Sequence, residues 1–246
     1  MQAICPNDLL ALHGAAGATL PTMRRALLIV GKAPVPGQTK TRLVPPLTPE
    51  EAADLYRGFL LDCVNLGLEL GWERVSVVHP RGSSEVLAEL LPPGLSLVAQ
   101  AGHGLGDALS SAFERHLAEG FQRVVLIGSD NPTLPLEQIR AACDGLDDHD
   151  LSIGPTVDGG YYLIGMRAAH LDVFANIDWS TPRVCAQTLA QAQLLGLRVH
   201  TVQEWYDVDE PPDLDRLRDD LCSLPDAVAP NTRAALDRLS LMAAGR

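Results

Sequence analysis

The sequence predicts an α/β fold: a three-layer, Rossmann-like arrangement with a mostly parallel central sheet and a mixed edge. Two observations carry this expectation. Short apolar runs at residues 26–30, 75–78, 95–98 and 124–127 alternate with segments of helical periodicity, and strand–helix alternation builds parallel sheets through right-handed crossovers. The run at 26–30 is also apolar at successive rather than alternate positions, as expected of a strand covered on both faces.

The elements follow in order. The first run ends at Gly31 and leads into a polar, proline-rich loop. Thr48 opens a helix with Pro49 at its first position and Glu51 three residues beyond the cap, the pattern of a capping box. Ala52, Leu55, Phe59, Cys63, Leu66 and Leu70 continue it at helical spacing. Leu105, Leu109, Ala112, Phe113 and Leu117 mark the next long helix, and a helix near Leu136, Ile139 and Cys143 follows the strand at 124–127. After residue 150 the pattern changes. Residues 151–153 and 161–164 read as strands around Asp158-Gly159-Gly160, which predicts a hairpin or mixed sheet edge. A helix at 182–195, a strand at 197–202 and a terminal helical region complete the chain. Residues 26–246 are expected to form a single domain. Residues 1–25, rich in Ala and Gly and poor in periodicity, are expected to be a disordered extension.

Composition narrows the function. A formal net charge of -12 argues against a surface built to neutralise a nucleic-acid backbone. A free nucleotide is compatible with it, because a few local cations beside a metal can hold one. No segment approaches the roughly 18 continuous apolar residues of a bilayer span, and the N-terminus lacks the basic start and long apolar stretch of a secretion signal. Five cysteines at wide spacing read as reduced thiols rather than as a disulfide framework or a zinc site. The expectation is a cytoplasmic protein with no nucleic-acid or membrane partner, and with room for a homodimer.

Ligands of open parallel sheets sit beyond the carboxyl ends of the strands, so residues directly after the apolar runs are the candidates. The first such loop carries Lys32, Lys40 and Arg42, stiffened by Pro34 and Pro36 and loosened at Gly37. Cations there suit a polyphosphate, which Arg can take in bidentate fashion. Neither GxxxxGK[ST] nor GxGxxG is present. The second place is Gly128-Ser129-Asp130, where a carboxylate leaves the most apolar strand. Hard cations such as Mg²⁺ or Mn²⁺ take oxygen ligands and bridge carboxylates to phosphates; a helix cap is the alternative for Asp130. The third place is Asp207-Val208-Asp209-Glu210. Asp207 and Asp209 alternate on an extended chain and can face one ion, while capping explains Asp209 equally well. Asp158, Gly159 and Gly160 allow close backbone approach to a ligand or a sugar hydroxyl, and a plain hairpin turn accounts for them equally. Trp179 offers a ring to a base or sugar, or to packing.

Taken together, GKAPVPGQTKTRL, GSDNPTL, DGGYYLIG and WYDVDEPPDL resemble the DUF2064 family of the GT-A, nucleotide-diphospho-sugar transferase superfamily, over about residues 26–217. The KTRL loop is also similar to the cationic first loop of 2-phospholactate and molybdopterin guanylyltransferases. DVDEPPDL is similar to their late D-[IV]-D-T-P-E-D-L segment, with Glu210 in place of Thr and Pro212 in place of Glu. The resemblance implies a GT-A fold, Lys40 and Arg42 on a triphosphate, and Asp130 and Asp209 as ligands of Mg²⁺ or Mn²⁺. Lys32, Gly37, Ser129, Asp158, Gly159, Gly160 and Trp179 complete the substrate-facing candidates.

Three functions are compatible with that site. Nucleotidyl transfer would move a nucleoside monophosphate from a nucleoside triphosphate to a phosphorylated metabolite or sugar 1-phosphate. Glycosyl transfer would use a nucleotide-sugar, with Asp158 positioning or deprotonating the hydroxyl of a small-molecule acceptor. A nucleotide-binding module would bind without turnover. Cations in the first loop suit a departing pyrophosphate and make nucleotidyl transfer the expectation.

Overall fold

The structure, a computed structural model, describes residues 23–244. The chain runs β1 (Arg25–Val30), α1 (Pro49–Glu69), β2 (Arg74–His79), α2 (Ser84–Leu90), β3 (Ser96–Ala99), α3 (Leu105–Ala118) and β4 (Arg123–Gly128). It continues through α4 (Leu136–Gly145), β5 (Leu151–Pro155), β6 (Tyr161–Met166), α5 (Val184–Leu194), β7 (Val199–Thr201), α6 (Pro211–Ser223) and α7 (Pro230–Ala244). Short 3₁₀ turns occupy Thr41–Leu43 and Leu171–Phe174. The expected extension at 1–25 lies outside the described residues up to residue 22, and its last residue, Arg25, already belongs to β1.

One seven-stranded sheet has the order β3-β2-β1-β4-β6-β5-β7. β6 alone runs antiparallel to its neighbours, β4 and β5. This is the mixed edge the turn at 158–160 predicts: a connection that short can only return the chain antiparallel. β7 then pairs parallel with β5.

Successive residues of the central strands face opposite sides of the sheet. Leu27, Ile29, Val75, Val77, Val125 and Ile127 pack beneath α1, α2 and α4, against Leu60, Cys63, Leu87 and Ile139. Leu28, Val124, Leu126 and Ile164 pack on the other face with Leu109 and Phe113 of α3 and Ala192 of α5. Within that second layer the His116 ring is fully buried, with Nδ1 2.8 Å from the Ala112 carbonyl and Nε2 2.9 Å from Ser76 Oγ.

α1 is covered on both sides. Its Thr48–Glu51 capping box forms as expected, and its outer face, with Leu55, Tyr56 and Phe59, meets Leu217 and Leu221 of α6 and Ala235 and Leu239 of α7. At Gly58 a Cβ would lie 2.9 Å from the Asn231 carbonyl oxygen, so the two backbones approach as closely as a glycine permits. One turn on, Asp62 accepts hydrogen bonds from the Asn231 amide (3.0 Å) and Nδ2 (2.8 Å) and from the Thr232 amide (2.7 Å) and Oγ1 (2.6 Å). A carboxylate at a helix N-terminus satisfies amides that have no partner inside the helix. Here that carboxylate comes from the neighbouring helix.

Among the described residues no helix is long and apolar enough to cross a membrane. Cys63, Cys143 and Cys185 are buried free thiols and Cys222 is exposed.

Candidate active site

β1 and β4 are parallel neighbours whose last residues, Val30 and Gly128, stand in register. The cationic loop and GSDNP therefore leave the sheet side by side. The late segment reaches the same place because Trp205 bridges to Thr156 and the Val208 amide donates to the Asp130 carbonyl at 3.0 Å.

Lys40 closes the group. Its backbone is left-handed (φ 46, ψ 42), and its side chain, only 5% exposed, points inward. The ammonium lies 2.5 Å from Asp130 Oδ1 and 2.7 Å from Asp209 Oδ1. Burial works against the charged form, but the charges and hydrogen bonds of the two carboxylates outweigh it and raise the Lys40 pKa above its ordinary value. Asp130 and Asp209 remain 36% and 39% exposed, so their outer sides are open to a ligand.

Neither aspartate serves mainly as a helix cap. α4 takes Pro135 at its N-cap and α6 takes Glu210, while the amides of Asp209 and Glu210 both donate to Asp213 Oδ2. Asp207 does not meet Lys40 but accepts from Asn131 Nδ2, which also donates to the Tyr206 carbonyl at 2.6 Å. Burial, with the nearby Asp130 charge second, pushes the Asp207 carboxyl up to about 7. Asn131 Oδ1 is buried and has no hydrogen-bond partner among the described residues.

The remaining candidates divide. Arg42 is exposed at the mouth, with Nη1 3.8 Å from Glu210 Oε1. It lines a cavity of about 270 Å³ together with Asp158, Asp207, Asp209, Tyr206 and Arg216. Asp158 also holds its own turn, accepting from Thr156 Oγ1 at 2.5 Å and from the Gly160 amide at 3.1 Å. Gly159 needs its positive φ of 90, and a Cβ there would overlap the Pro182 carbonyl oxygen. Lys32 binds the Gln38 carbonyl at 3.0 Å and so braces the first loop from within, while Gly37 (φ 73) has open space around it. Ser129 faces inward at 2% exposure, its hydroxyl 2.8 Å from that of Tyr56, which also accepts from the Lys32 amide at 3.0 Å. Trp179 packs over Gly106 and beside Phe174, lining a separate cavity of about 360 Å³ with His103 and Leu105.

Sequence reasoning missed Tyr56, Tyr206 and Arg216. Tyr206 adjoins Asp207 and was within reach of a motif reading. Tyr56 sits in an amphipathic helix and Arg216 in a charged one, and nothing in the pattern distinguishes either.

The donor set suits a hard divalent cation: oxygen atoms only, two carboxylates directed at one point, and a cationic nitrogen standing in at that point. Among the described residues no group of three or more His, Cys, Asp or Glu could hold a metal, so phosphate oxygens and water would complete the shell, as is usual for Mg²⁺.

With this fold, the chain is similar to transferases of the nucleotidyl and sugar-nucleotide class. The chain belongs to the DUF2064 family, described as "Uncharacterized protein conserved in bacteria", whose family model matches residues 64–181. A structure assigned as a nucleotide-diphospho-sugar transferase from Desulfovibrio desulfuricans G20 superposes with a TM-score of 0.80 at 33% identity, covering 88% of this chain and 95% of that one. The 2-phospho-L-lactate guanylyltransferase of Methanothermobacter thermautotrophicus is 27% identical over 173 residues, 67% of this chain and 76% of the relative. The manganese complex of Rv0371C from Mycobacterium tuberculosis H37Rv shares the fold, with a TM-score of 0.50 at 14% identity over 80% of this chain and 97% of that one.

Proposed function

We propose that the protein is a divalent-metal-dependent nucleotidyltransferase. It would move a nucleoside monophosphate from a nucleoside triphosphate to a phosphorylated metabolite or sugar 1-phosphate, releasing pyrophosphate. The observation that carries this reading is the Lys40 ammonium held between Asp130 and Asp209, a cation place made of oxygen donors beside a cationic loop. The guanylyltransferase relative supports the same reaction class.

An acceptor phosphate oxygen attacks the α-phosphorus, and the bond from that phosphorus to the oxygen bridging to the β-phosphate breaks. The leaving pyrophosphate takes the electron pair. Since the attacking oxygen is already ionised, no side chain has to act as base or nucleophile. Asp130 and Asp209 would hold Mg²⁺ or Mn²⁺, which supplies Lewis-acid polarisation and neutralises phosphate charge. Lys40, freed from the two carboxylates, carries its charge to the β- and γ-phosphates. Arg42 adds a planar fork at the cavity mouth. Residues 26–246 would act as one catalytic unit, and the cytoplasm would supply its substrates.

Glycosyl transfer is the second reading, favoured by the 33% identical sugar-nucleotide transferase structure. Incubation with nucleoside triphosphates, nucleotide-sugars and phosphorylated acceptors, followed by pyrophosphate detection and mass spectrometry, separates the two. Release of a nucleoside diphosphate from a sugar donor, without pyrophosphate, would replace the first reading with the second.

A further inference from the structure

We propose that Arg216 binds a terminal phosphate of a substrate in the cavity beside Asp209, a role that rests on the nucleotidyl-transfer reading. Five carboxylates and two guanidinium groups line this cavity. Each carboxylate already has a partner. Asp209 meets Lys40 and Asp207 meets Asn131. Asp158 is held by Thr156 and Gly160, and Asp213 by the amides of Asp209 and Glu210. Glu210 faces Arg42 at 3.8 Å.

Arg216 differs from all of these. It makes no hydrogen bond or ion pair among the described residues, and its guanidinium carbon lies 3.8 Å from the centroid of the Tyr206 ring. That ring is itself fixed, 4% exposed, with its hydroxyl donating to Asp220 at 2.6 Å. Stacking sets the plane of the guanidinium and covers one face while leaving its edge N–H groups free. Each acid of the lining has a hydrogen-bond or ion-pair partner, whereas the edge of the Arg216 guanidinium has none among the described residues, and its planar fork matches phosphate geometry. The phosphate can come from two sources: the end of the nucleoside triphosphate or the phosphorylated acceptor.

The test is calorimetric titration of wild type, Arg216→Met and Arg216→Lys at fixed Mg²⁺ with two probes, inorganic tripolyphosphate and 2-phospho-L-lactate. The Met variant should lose about tenfold or more in affinity for one probe and little for the other, and the probe affected identifies the source. The Lys variant keeps the charge but not the fork and should recover only part. Unchanged affinity for both probes, or an equal small loss for both, overturns the proposal, as does a wild type that binds neither. The nucleotidyl reading fails separately: wild type would release no pyrophosphate from any nucleoside triphosphate while the Arg216 binding difference persists.

Discussion

Lys40 Nζ lies 2.7 Å from Asp209 Oδ1 across 169 positions of sequence, and 2.5 Å from Asp130 Oδ1. A single positive charge holds two acids together. In the proposed reaction a metal taking this place would displace the lysine, and the phosphates of the nucleotide would receive it.

Lys40→Met should therefore destabilise the ligand-free protein. The two carboxylates would face each other unscreened, at a cost of about 1–3 kcal/mol because both stay partly solvated. Mg²⁺ should raise the melting temperature of the variant more than that of wild type. Equal Mg²⁺ shifts in both proteins would rule out the shared cation place.

Asp130→Asn and Asp209→Asn should each abolish metal-dependent nucleotide binding in calorimetry. Lys40→Ala should weaken a nucleoside triphosphate more than a nucleotide-sugar, and slow pyrophosphate release by about a hundredfold or more. A triphosphate affinity that Asp130→Asn leaves unchanged in Mg²⁺ would remove the metal role.

Asp62→Ala should lower stability by about 3 kcal/mol, since four donors at the start of α7 lose one charged acceptor. Urea melts measure this. Pyrophosphate release below the melting range should survive, because Asp62 does not line the cavity.

His116 sets a pH dependence. Burial, the largest effect, lowers its pKa below the ordinary value of 6.5, so the folded state keeps the ring neutral, donating from Nδ1 to Ala112 and accepting at Nε2 from Ser76. The contribution is complete above about pH 6.5 and is lost as pH falls, because the unfolded chain then takes up a proton that the folded one refuses. The urea midpoint of wild type should fall between about pH 7.5 and about pH 5.5 by more than that of His116→Gln. Parallel losses in both proteins would assign the pH effect elsewhere.

Much of this was readable along the chain. Continuous apolar runs marked β1 and β4, Thr48, Pro49 and Glu51 marked the start of α1, and the glycines at 159–160 marked the antiparallel return. The placement of Asp130 beyond the carboxyl end of β4 was legible because the apolar run at 124–127 stops directly before Gly128-Ser129-Asp130. The contact of Lys40 with both acids was not legible, since it requires three distant segments to converge and a left-handed backbone at Lys40. Ser129 turns inward because Tyr56 offers it a hydroxyl, a partner that only the packing of α1 supplies. Arg216 resembles every other arginine of an exposed helix until Tyr206 is placed beneath it.

The contact between Gly159 and Pro182 fixes one side of the cavity that Asp158 lines. The Gly159 carbonyl accepts from the Cys185 amide at 3.0 Å, while its α-carbon leaves no space for a side chain against Pro182. The turn at 156–160, whose Val157 and Asp158 line the cavity, is thus tied to the start of α5. The loop after β1 has no such brace at Gly37, where a side chain would meet nothing, so of these two glycine turns only the one at 156–160 is locked by its neighbour.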